Sequence, residues 1–234
     1  MINEGKTEKI IYFNSTTDIV SSNIAEYIKT IGYTPVFSID IDLTSEKDVS
    51  DFFESYKDNL CGAILSNPPV IHGNIENTTD EMWNRARDTF ALPMLNITQI
   101  VGKIFMQKRK GSIIYLNSIH ADKPTGDGFL YTTGCAAVQM LCREAAIIYG
   151  SYGVGCYNIM RGIVEGEEGY FTSDYSSIHH NSELRFPKER VPSADSLNEL
   201  CEFLLSDSAY ILNGSDLHAD EGFRLFYGKS GFYK

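Results

Sequence analysis

Several side chains stand close enough in sequence to do chemistry together. His120 follows Ser118 by two residues, and a histidine titrates near neutral pH, so it is a candidate base or an exposed polar loop residue. Ser118 and Tyr131 each offer a hydroxyl able to hydrogen-bond a carbonyl or an alcohol. Cys135 lies one helical turn beyond Tyr131. It reads either as a nucleophile, with no basic neighbour in sequence to form its thiolate, or as a small apolar residue of the core. Arg161 is a cation that either sits near Tyr131 or joins an interface ion pair. His179 and His180, with Asp174 and Glu183, form a weak metal-like group, but adjacent histidines lack the spacing of a helical ligand pair. No metal is expected.

Alternating strand and helix patterns must position these groups. Residues 10–13, 35–39, 62–66, 111–116, 154–159 and 216–219 read as short buried strands. Between them, Val20, Ile24, Tyr27, Ile28 and Ile31 share one helical face, with Gly32 at its stop. Val49, Phe52, Phe53 and Tyr56 form the next apolar stripe. Thr78 and Glu81 have capping-box spacing and open a long helix to about Lys108, with a kink expected at Pro93. An Ala-, Met- and Leu-rich helix spans about 131–149, and a last one about 194–205. Residues 165–190 read as a long loop over a site. Repeated βα units predict a Rossmann-type α/β fold, a doubly wound parallel sheet in a single domain over 1–234.

Composition narrows the function. The chain has 234 residues, 43% hydrophobic and 22% charged, which is ordinary for a globular protein. A net charge of −11 argues against a nucleic-acid partner. Apolar runs long enough for a membrane span are not expected, and five cysteines without paired spacing suit a reducing cytoplasm.

From 111 to 164 the pattern becomes specific. Gly111-Ser112-Ile113-Ile114-Tyr115-Leu116-Asn117-Ser118, then Tyr131 thirteen residues on, Ala136-Ala137-Val138 and Gly153-Val154 resemble the second half of short-chain dehydrogenases/reductases. Residues 203–207 and 218–223 resemble that family's closing helix and strand. The resemblance covers nearly the whole chain. It implies a Rossmann fold, Ser118 and Tyr131 at the catalytic serine and tyrosine positions, and assembly through the two long helices.

Departures from the family pattern fall on its chemistry. Its glycine-rich phosphate loop aligns with Ser15, Ile19 and Ser21, with Asp18 beside the helix start, either as a helix cap or as a charge repelling an anion. A helix and a strand are missing after the second strand. Asp40 there is either a ribose ligand or a solvated turn residue. The family's lysine aligns with Cys135 and its asparagine with Phe90. Arg161-Gly162 replaces a proline-glycine pair, and Asn67-Pro68-Pro69 an asparagine-alanine-glycine turn. Without a neighbouring cation Tyr131 is expected to stay near the usual phenol value of about 10, a poor general base at pH 7.

The expectation is a degenerate, catalytically inactive family member that binds no NAD(H) or NADP(H). It would serve as a structural or regulatory subunit beside an active relative, or self-associate through helices at 82–108 and 131–149. The alternatives are an NAD(P)-dependent oxidoreductase with an atypical cofactor site and a non-redox enzyme using Ser118 and Tyr131. Phe223, Phe226, Tyr227, Phe232 and Tyr233 are expected to pack against another subunit.

Overall fold

The computed structural model describes residues 8–124, 126–167, 186–188 and 190–225. His179, His180, Asp174, Glu183 and the aromatic residues from Phe226 onward lie outside the described residues.

Six strands form one parallel sheet: β1 Ile10–Phe13, β2 Thr34–Phe37, β3 Leu60–Ser66, β4 Gly111–Ser118, β5 Val154–Arg161 and β6 Asp216–Ala219. Their order is β2-β1-β3-β4-β5-β6, and the first two pair in parallel, with Ile11 opposite Pro35. All six segments match the sequence expectation to within a few residues. β2 is an edge strand here, as expected of a chain lacking a helix and strand beyond it. The strand order reverses direction between β1 and β3. Open parallel sheets gather their ligand-binding groups at the carboxyl ends flanking such a switch.

Alternation along the central strands sets the two layers. Ile113 and Tyr115 face α2 (Glu46–Glu54), α4 (Leu92–Lys108) and α5 (Phe129–Gly150). Ile114 and Leu116 face α1 (Ile19–Thr30) and α6 (Asn198–Leu204). Near-continuous apolar strands are what a sheet covered on both faces requires.

The long helix differs from expectation at its start. α3 (Asp80–Ala86) is capped by Thr79, whose side chain accepts from the Met82 amide, rather than by Thr78. The Thr78 hydroxyl is spent on the Asn74 carbonyl at 2.6 Å. A π-helical turn, Arg87–Ala91, then joins α3 to α4 just before Pro93. Proline has no N–H to donate, and the widened turn lies where that missing hydrogen bond falls. Asp80–Lys108 is long and apolar enough to cross a membrane by length and composition, contrary to the sequence expectation. Met94, Ile97, Val101 and Phe105 are instead buried in the core.

Candidate active site

Two groups of polar residues converge on the carboxyl edge of the sheet. The first surrounds Tyr131, in the first turn of α5. Ser118 ends β4, and its Oγ accepts from the His120 amide at 3.2 Å. Hydrogen bonding by the Ser118 and Asn67 side chains, together with the field of Arg161, favours ionisation of Tyr131. Burial outweighs them and holds the phenol well above its usual range, rather than near it as the sequence suggested.

The floor of this group is closed. Cys135 is fully buried, and the Asn67 amide reaches its Sγ at 3.4 Å. Desolvation pushes this thiol up to about 12, so it is an inert core residue rather than a nucleophile. Asn117 bridges the floor, donating to the Cys135 carbonyl at 2.9 Å and accepting from Asn67 at 2.7 Å. Phe90, on the π-turn, packs edge-on against Tyr131 with centroids 5.6 Å apart. His120 stands on the other side, its ring 6.3 Å from that of Tyr131. Its Nδ1 lies 3.0 Å from the Lys123 carbonyl, and burial lowers its pKa, which leaves it neutral at pH 7.

The second group lies at the α1 N-terminus, beside the switch point. Asp18 is the N-cap, as one sequence reading held: its Oδ2 accepts from the Ser21 amide at 2.8 Å. The same oxygen accepts from Ser66 Oγ at 3.0 Å, and the Ser21 and Ser66 hydroxyls hydrogen-bond each other. Asn14 stitches β1 to β3, accepting from the Ser66 amide at 2.7 Å and donating to its carbonyl at 3.0 Å.

Arg161 enters this group from the end of β5. Its guanidinium forks onto Glu167 at 2.7 and 2.8 Å and reaches Asp18 at 3.3 Å. Arg161 is thus held in intramolecular ion pairs, and its charge is also felt at Tyr131, as one sequence reading held. Glu167 escaped the sequence reading because it looked like one acid among several in a long loop. The signal was Arg161 itself, a cation at a buried strand end, which demands carboxylates nearby. Glu167 also accepts from the Val164 amide at 3.1 Å. Asp40 is exposed in the turn after β2, in a left-handed conformation at φ 56°.

Comparison with known proteins agrees with the fold. Residues 4–224 match the family model described as enoyl-(acyl carrier protein) reductase. The chain belongs to the short-chain dehydrogenase/reductase family. It is 19% identical to the NADH-dependent enoyl-[acyl-carrier-protein] reductase FabI of Bacillus cereus, over 92% of this chain and 86% of that enzyme. It is 30% identical to L-xylulose reductase of Caenorhabditis elegans, over 58% of this chain and 55% of that enzyme. Among solved structures, ElxO with NADP bound superposes with a TM-score of 0.80 at 15% identity, covering 93% of this chain and 99% of that one.

Proposed function

We propose that this chain is a non-catalytic member of its family, a structural or regulatory subunit of a complex with an active relative. One observation carries the reading: the chain's own side chains fill the place where its fold would take a dinucleotide's pyrophosphate. The first-turn donor at Ser21 is engaged by Asp18, and the cation that would face a phosphate is engaged by Glu167 and Asp18. Family members use glycines there for close approach, whereas Ile19 puts a branched side chain at that point. These residues do not fit the cofactor.

The Tyr131 group supports the same reading. Buried Cys135 takes the place of a lysine, and Phe90 that of a polar relay residue. Raised well above neutrality, Tyr131 holds its proton and serves as a poor base.

Assembly is supported by the outer helix faces. Trp83, Leu95 and Met140 are large and exposed, and Ala136 and Ala137 lie outward beside Met140. Val138, Ala145 and Ala146 are buried within this chain, so that part of α5 faces its own core rather than a partner. The same face would serve either a related subunit or a second copy.

The hydrogen bond between Ser118 and Tyr131 favours one alternative, an oxidoreductase or non-redox enzyme using that pair. One experiment separates the readings. The purified chain is titrated with NADH and NADPH by calorimetry, then co-expressed with family members from neighbouring genes and measured by light scattering and activity. The expected result is no heat from either nucleotide and a stable complex whose activity falls with Ala137→Arg. Micromolar nucleotide binding would reject the cofactor reading. A monomer that changes no partner's activity would reject the subunit reading.

A further inference from the structure

The segment that follows β5 folds back onto the start of α1, and two independent contacts hold it there. One is the Arg161–Glu167 fork, with side chains only 17% and 10% exposed. The other is steric. Gly166 has φ 90°, and a Cβ built there would stand 2.7 Å from Ile19 Cδ1. Ile19, the first residue of α1, therefore seats against bare backbone that only glycine supplies in this conformation. Glu167 and Gly166 are adjacent in the segment: Gly166 meets Ile19 directly, and Glu167 is tied to the α1 start through Arg161, which pairs with Asp18.

A purely structural contact would not need this chemistry. Burying charges costs desolvation that apolar packing avoids, and such ion pairs are poor sources of stability. What a carboxylate on a guanidinium does provide is a close chemical likeness to a phosphate on a guanidinium, with the same forked geometry. Glu167 presents its carboxylate at a parallel sheet's switch point, beside a helix N-terminus, where an anion is favoured.

We propose that residues 162–167 form a latch over the α1 N-terminus, in which Glu167 acts as an intramolecular stand-in for an anion. The fork to Arg161 and the seating of Ile19 on Gly166 hold the cradle shut. This goes beyond the loss of a cofactor: the cradle is occupied from within, by a short segment of the chain itself.

Hydrogen exchange of the full chain in nucleotide-free buffer, followed by mass spectrometry, tests this. Glu167→Ala removes the stand-in, and Glu165→Gln is the control on a neighbouring exposed acid. Exchange across 162–167 and the first turn of α1 is expected to quicken by about tenfold or more in Glu167→Ala, as losing a buried charge-assisted fork implies. β1 and β4 should keep their protection, and the control should match the natural chain. Unchanged exchange across 162–167 would overturn the latch. Should Glu167→Ala unfold the whole chain, Gly166→Ala carries the test, since a side chain at φ 90° strains the same segment where it meets Ile19 and leaves every charge in place. A folded Gly166→Ala chain with unaltered local exchange would equally overturn it. Nucleotide binding by the natural chain, which would reject the proposed function, is read separately and does not enter this measurement.

Discussion

The ring of Phe90 lies on the backbone of Gly134: a Cβ added at Gly134 would stand 2.7 Å from two of its ring carbons. The π-turn brings Phe90 to α5, and Gly134 is the bare patch of α5 that receives it. Aromatic and glycine thus form one packing unit beneath Tyr131.

Gly134→Ala therefore sets two effects against each other. Alanine is better than glycine inside a helix by about 1 kcal/mol, while overpacking a rigid core costs about 1–3 kcal/mol. The ring is fully buried and has nowhere to go, so overpacking wins and the chain loses stability. Adding Phe90→Leu should recover part of that loss. Urea midpoints of the two single variants and the double variant check this, and strict additivity would contradict the packing unit.

Removing Arg161 should be more damaging. Arg161→Met leaves Asp18 and Glu167 buried side by side without their cation, a change that costs about 3–5 kcal/mol. Arg161→Lys keeps the charge but loses the fork, so it should recover only part of the loss. Thermal denaturation of both variants tests the order.

The thiols give a chemical prediction. Cys135, Cys142, Cys156 and Cys201 are buried, whereas Cys61 is partly exposed. With Cys135 pushed up to about 12, roughly one molecule in ten thousand carries its thiolate at pH 8. A disulfide reagent should modify Cys61 in the native chain and reach Cys135 only on unfolding. Rapid modification of Cys135, located by peptide mass, would contradict the burial.

His120 supplies a pH dependence of known sign. Its pKa is lowered in the folded chain, chiefly by burial. Between that lowered value and the unfolded value of about 6.5, the unfolded chain binds the proton and the folded chain does not. Stability should therefore fall as pH drops below about 6.5, and His120→Gln should flatten that slope. Urea midpoints of both chains from pH 7.5 down to 5.5 supply the comparison.

The sequence made the central strands legible because each is a short apolar run buried on both faces, as in Ile113-Ile114-Tyr115-Leu116. The α1 start was legible for a local reason, since Asp18 needs only its own helix to act as a cap. Thr78 and Thr79 show where local reasoning fails. Both can cap, and the choice falls to Thr79 because an upstream carbonyl claims the Thr78 hydroxyl. The π-turn is a compromise between Pro93 and the helices flanking it, which a 3.6-residue period does not encode. The Arg161, Asp18 and Glu167 cluster joins two stretches of chain, with Asp18 separated from Arg161 by 143 positions. A long-range pairing of that kind leaves no trace in spacing, although each charge by itself was visible.

Pro35 gives the outer rim of the sheet a chemical character of its own. The Thr34 amide points inward, to the Lys9 carbonyl at 2.8 Å. By the alternation of a strand, the outward donors of β2 then fall at Pro35 and Phe37, and proline has none to give. A stray strand approaching this rim meets a gap in the row of donors it would need to add itself as a seventh. The residue that closes the sheet thus also guards an acidic, aromatic-rich chain against growing into fibres at its open side.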